Sequence, residues 1–141
     1  MTAAFQVLVR LLSARERTAA ELRARLARKG FPPAIIEASL TRAMALGYVD
    51  DLRAARAKAA GIVARGMPRA VLERKLREAG VSSAVLVEVL AEAPDDRALA
   101  GIALARRFRS RIPSGERAGR FLAGRGFEVE VIEDLLGKVA D

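Results

Sequence analysis

Three stretches of this chain, ELRARLARKGF at 21–31, VLERKLREAGV at 71–81 and RAGRFLAGRGF at 117–127, share one register without a gap. Leu22, Leu72 and Ala118 align, followed by Leu26, Leu76 and Leu122, then Gly30, Gly80 and Gly126, then Phe31, Val81 and Phe127. The register continues through Ile36, Leu86 and Ile132 to Leu40, Leu90 and Leu136, and ends at Ala43, Ala93 and Val139. Self-similarity at roughly 45 residues marks an array of small supersecondary units rather than one continuous fold.

The aligned apolar positions lie four apart, which places them on one face of a helix. A glycine closing such a stripe predicts a left-handed C-cap, where a Cβ would be penalised. Running backwards, the register reaches Thr18, Pro68 and Ser114, where helix starts are expected. Thr18 with Glu21 reads as a capping box, and Pro68 suits a first turn because its missing N–H is not needed there. A third helix follows each glycine. Another precedes each block, near 3–14, 52–65 and 96–111, with Asp50-Asp51 and Asp95-Asp96 placed to cap the last two.

The expectation is therefore an all-α chain of nine helices in three tandem three-helix repeats, 1–49, 50–94 and 95–141, stacked into an elongated, curved array. Each repeat is too small to stand comfortably alone, so neighbours should stabilise one another. Gly66 lies outside the aligned glycines. It is expected to tolerate Ala better than Gly80 tolerates Val.

Composition narrows the function. There is neither cysteine nor histidine among the 141 residues, which removes disulfides, thiolate or imidazole metal sites and His-based catalysis. Only the two Asp pairs could hold Mg²⁺ for an enzyme, and both sit where caps are needed. No cofactor, no metal and no catalysis are expected. The opening MTAAFQVLVRLL meets Arg10 early and reads as a first helix rather than a leader, no stretch is long enough to span a bilayer, and a cytoplasmic monomer is expected.

The formal net charge is +8, and all but four of the 25 basic residues are arginine, whose planar fork suits phosphate and carboxylate. Three basic groups recur at related places. They comprise Arg23, Arg25 and Arg28 in the first repeat, Arg69, Arg74 and Arg77 in the second, and Arg106, Arg109 and Arg120 in the third. Arg120 falls opposite Ala118 and Leu122, Arg125 lies nearer the apolar stripe, and Arg106 and Arg109 should share a helical face, with Phe108 turned to the core. Arg10, Arg42 and Arg97 read as solvated surface. The few aromatic residues mostly occupy periodic core positions, so contacts to nucleic acid would be backbone contacts, not base stacking. A stand-alone basic helical module that binds nucleic acid would carry the same charge.

Arg17-Thr18 with Glu21-Leu22 and Leu26, the Gly47-Tyr48-Val49-Asp50-Asp51 junction, Arg65-Gly66 through Pro68 to Gly80-Val81, and Arg120-Phe121-Leu122 with Arg125-Gly126-Phe127 resemble, in order and spacing, the RecX family of RecA regulators. One departure is Leu52-Arg53-Ala54-Ala55, where family members often carry a Phe after the Asp pair. The resemblance implies a non-enzymatic protein of DNA repair and the SOS response. Its partner would be the RecA–DNA filament, bound along the groove, with RecA's ATPase, strand-exchange and LexA-cleavage-promoting activities mostly inhibited.

Overall fold

A computed structural model describes residues 2–137, in which every regular element is an α-helix. In chain order these are α1 (Ala3–Ala14), α2 (Ala19–Arg28), α3 (Pro33–Ala45), α4 (Asp51–Ala64), α5 (Arg69–Glu78), α6 (Ser83–Glu92), α7 (Asp96–Arg107), α8 (Gly115–Arg125) and α9 (Val129–Leu136). The aligned register thus maps onto α2 and α3, α5 and α6, and α8 and α9. Its last position, Val139, lies outside the described residues.

The chain forms two compact units, Met1–Lys58 with Lys75–Val89, and Ala59–Arg74 with Leu90–Asp141. In the first, α1, α2 and α3 pack on one another around Phe5, Leu8, Leu22, Leu26, Ile36 and Leu40. In the second, α7, α8 and α9 do the same around Leu99, Leu104, Ala118, Leu122, Phe127 and Ile132. Leu26, Leu76 and Leu122 are each 0% exposed, so the middle-helix stripe of all three triads faces a core. Burial of such side chains is the main favourable contribution to folding here, each worth about 1.5–3 kcal/mol.

The caps follow the sequence closely. Thr18 Oγ1 accepts the Glu21 amide at 3.1 Å while the Glu21 carboxylate accepts the Thr18 amide at 3.0 Å, completing the capping box. Asp50 and Asp95 cap their own helices through the Arg53 and Ala98 amides, and Ser114 caps α8 through Arg117. Their neighbours do something different. Asp51 Oδ1 accepts the Ala19 amide at 2.8 Å, and Asp96 Oδ1 accepts the Arg69 amide at 2.8 Å. Each therefore satisfies an orphan N–H at the start of the middle helix of the preceding triad.

A second contact recurs beside this one. In the first unit Thr18 Oγ1 also donates to the Ala79 carbonyl at the end of α5, and Gly80 lies against Ala20. In the second unit Arg125, at the end of α8, donates to the Arg65 carbonyl at 2.8 Å, and Gly126 lies by Pro68. The start of one middle helix thus rests on the end of the next. The missing Phe after Asp51 fits this close packing. Ala54 and Ala55 are buried, while the Arg53 guanidinium reaches back to the Gly47 and Tyr48 carbonyls and to Glu16.

Two sequence expectations need correction. Helix α7 stops at Arg107 rather than 111, because Phe108 leaves the helical region at φ −119°, ψ 69°. Gly66 is not the tolerant glycine. Its φ is +68°, and a Cβ built there would overlap the backbone N and Cα of Ala103. At Gly80, also left-handed, the Cβ would meet the side-chain Cβ of Ala20.

Leu76→Ala should cost about 2–5 kcal/mol in urea unfolding; a cost under about 0.5 kcal/mol, the level of an exposed change, would place that stripe at the surface. Gly30 has an equally left-handed backbone, φ +91°, but open space where its Cβ would go. Gly66→Ala should therefore lower the melting temperature clearly more than Gly30→Ala, and equal losses would mean that the α7 contact is not formed.

Candidate functional site

Helix α2 presents three arginines. Arg23 forks onto Glu37 of α3, Nε to Oε1 at 2.6 Å and Nη2 to Oε2 at 3.3 Å, and this hydrogen-bonded pairing raises its pKa. Arg25 and Arg28 have no side-chain hydrogen bond or ion pair among the described residues. Together with Arg15 and Arg17 they line a cleft of about 250 Å³, with Ala20, Ala24, Glu21 and Glu78 completing its wall. The two alanines make the room, since larger residues one and two turns before Arg28 would fill it.

Arg17 is buried, 9% exposed, and its Nε donates to the Leu11 carbonyl at 3.3 Å. Burial lowers its pKa, and the like charges of Arg15 and Arg25 lower it further, outweighing Glu21. Glu21 is occupied by the capping box and by Lys58 Nζ at 3.2 Å. Sequence reasoning singled out Arg25 and Arg28 but not Arg15 and Arg17 as their neighbours. The signal was an Arg-x-Arg immediately before the Thr18 cap, in the turn from α1 into α2, which brings both residues to the wall of this cleft.

In the middle triad, Arg74 and Arg77 are exposed on α5. Arg69 is half-buried, and its Nη1 donates to the Ala93 and Pro94 carbonyls at 3.0 and 3.1 Å, which ties the start of α5 to the turn before α7. In the last triad Arg106 is exposed in the final turn of α7. Arg109 lies beyond the helix end, so the expected shared helical face does not exist. Arg120 is exposed and pairs with Glu116 one turn earlier at 3.0 Å. Arg125 is spent on structure, donating to the Arg65 carbonyl and to Met67 Sδ and lying over the Phe121 ring. Phe108 is half-buried and edge-on to Phe121, with centroids 5.5 Å apart, and Arg107 and Arg117 lie over its ring.

The arginines that read as solvated surface are mixed. Arg42 stacks over Phe5, 4.4 Å from its centroid, and Arg97 pairs with Asp134 at 3.1 Å. Among the described residues there is no group of three or more His, Cys, Asp or Glu placed to hold a metal ion, and no helix is long and apolar enough to cross a membrane.

These features define an all-helical protein of repeated three-helix units whose exposed chemistry is chiefly that of arginine. The family description "RecX, first three-helix domain" matches residues 4–42. Regulatory protein RecX of Thermus thermophilus is 43% identical over 123 residues, covering 87% of this chain and 82% of that one. Regulatory protein RecX of Chromohalobacter salexigens is 39% identical over 133 residues, 91% of this chain and 87% of that one. A crystal structure of RecX from Lactobacillus salivarius superposes with a TM-score of 0.69 at 16% identity, covering 94% of this chain and 91% of that one. The chain belongs to the RecX family of regulatory proteins.

Glu21 provides a pH test of the geometry beside the cleft. Burial alone would raise its pKa, yet the Thr18 amide, Lys58 and Arg15 together bring it below the ordinary value. A depressed carboxylate pKa contributes stability above the unfolded-state pKa and loses it as pH falls through the folded value. Glu21→Gln should therefore melt below the parent at pH 7, with the gap closing as the pH falls below the ordinary carboxylate range; a constant gap would mean that the charge of Glu21 contributes nothing.

Proposed function

We propose that this chain regulates the RecA recombinase, mostly as an inhibitor, by binding the RecA–DNA filament in its groove in the cytoplasm during DNA repair and the SOS response. It modulates RecA's ATPase, strand-exchange and LexA-cleavage-promoting activities without catalysis of its own. The observation that carries this reading is family membership over 87% of the chain. The exposed arginines supply compatible chemistry, because guanidinium forks pair with acidic side chains at a groove wall or with phosphates inside the filament.

On this reading the three repeats, 1–49, 50–94 and 95–141, each offer basic residues to the filament: Arg23, Arg25 and Arg28, then Arg74 and Arg77, then Arg106, Arg109 and Arg120. Arg69 contributes by holding α5 in place. The net charge of +8 also favours a second reading, a module that binds bare nucleic acid unaided. Equal affinity for bare and RecA-coated DNA at physiological salt would favour it.

Changing Arg106, Arg109 and Arg120 together to Glu should leave helical content and melting intact while weakening inhibition of RecA strand exchange and ATP hydrolysis at least tenfold, about 1.4 kcal/mol. Arg10, Arg42 and Arg97 to Glu alters net charge equally and should weaken inhibition much less. Equal losses in the two variants would reduce the effect to non-specific charge and overturn the assignment of the third repeat.

A further inference from the structure

The cleft formed by Arg15, Arg17, Arg25 and Arg28 gathers four guanidinium groups around one cavity of about 250 Å³. Only Glu21 and Glu78 face them there, and Glu21 is already held by the Thr18 amide and Lys58. Gathering like charges costs free energy in proportion to their proximity and burial. Arg17 bears that cost most heavily. It is buried beside two other arginines, with one hydrogen bond, from Nε to Leu11, among the described residues.

The directions of approach indicate what would offset this charge. Arg15 comes from the end of α1, Arg17 from the residue before the α2 cap, and Arg25 and Arg28 from one face of α2 a single turn apart. A carboxylate is planar and offers two oxygens, whose lone pairs lie in one plane. Several forks arriving from different elements suit a tetrahedral oxyanion, whose oxygens point in several directions. No aromatic residue lines the cleft, so a base has nothing to stack on and recognition would stop at the backbone.

We propose that this cleft is a binding site for a backbone phosphate of nucleic acid, recognised without regard to base sequence. The site lies in the first compact unit, shares Arg25 and Arg28 with the basic set offered above to the filament, and requires no recombinase.

The test uses the full chain, without RecA, and a fluorescein-labelled oligodeoxythymidylate of about 20 nucleotides, longer than a typical single-strand site, followed by anisotropy across a salt series. The parent should bind with a steep salt dependence, because each phosphate contact releases condensed counterions. Replacing Arg15, Arg25 and Arg28 with Gln should weaken binding at least tenfold and flatten the salt slope. Replacing Arg10, Arg42 and Arg97 with Gln, an equal loss of charge, should change both only slightly. Arg28→Glu alone, an exposed change made in case the triple variant folds poorly, should still weaken binding several-fold. An oligodeoxycytidylate of the same length should bind like the thymidylate.

Absence of binding by the parent, equal weakening in the two triple variants, or displacement of the oligonucleotide by polyglutamate as readily as by unlabelled oligonucleotide would each overturn the proposal. The polyglutamate result would reassign the cleft to acidic peptide. RecA inhibition is measured separately, so none of these outcomes by itself bears on the proposed regulation of RecA.

Discussion

Two carboxylates, Asp51 and Asp96, hold the repeated architecture together. Each sits at the first position of its own helix, where negative charge is already favoured by the helix dipole. Each turns its Oδ1 to the first amide of the preceding triad's middle helix, Ala19 in one unit and Arg69 in the other. A single side chain thus couples two helix starts from successive triads. Without it, an N–H would be left unsatisfied where Thr18 and Ala79, or Arg65 and Arg125, come together. Losing such a cap costs about 0.5–2 kcal/mol, a sizeable share of a small domain's stability.

This explains the Gly47-Tyr48-Val49-Asp50-Asp51 junction as a mechanical part. Gly47 takes φ +76° to end α3, Val49 is buried against the first core, Asp50 caps α4 and Asp51 caps α2. Arg53 then braces the turn through the Gly47 and Tyr48 carbonyls. So many roles in so short a stretch leave little freedom for substitution. The buried Ala54 and Ala55 that follow let α4 approach its neighbours closely, where a larger ring would hold them apart.

Much of this was legible in the sequence because it rests on local rules. The three-fold register, the capping box at Thr18 and the left-handed glycines at 30, 80 and 126 follow from periodicity and backbone sterics alone. What the sequence concealed depends on contacts distant along the chain. Asp51 and Asp96 look like ordinary caps for their own helices, and only the fold turns them towards α2 and α5. Gly66 looks like a loop residue until Ala103 is seen against it. The arginines are the hardest to read. Arg69 and Arg125 are consumed by carbonyls of other elements, Arg23 and Arg120 pair with Glu37 and Glu116, and Arg25 and Arg28 keep the open cleft with Arg15 and Arg17. A net charge of +8 cannot distinguish these fates, because it counts guanidinium groups without their partners.

The coupling of triads through Asp51 and Asp96 is tested most directly by amide hydrogen exchange and urea unfolding of Asp51→Ala, Asp96→Ala and the double variant. Exchange at Ala19 should accelerate in the first variant and at Arg69 in the second, with each change costing about 1 kcal/mol of global stability, the usual cost of losing a helix cap. Unchanged exchange at both amides, with each loss below about 0.5 kcal/mol, the level of an ordinary surface change, would contradict the claim that these two carboxylates join the triads.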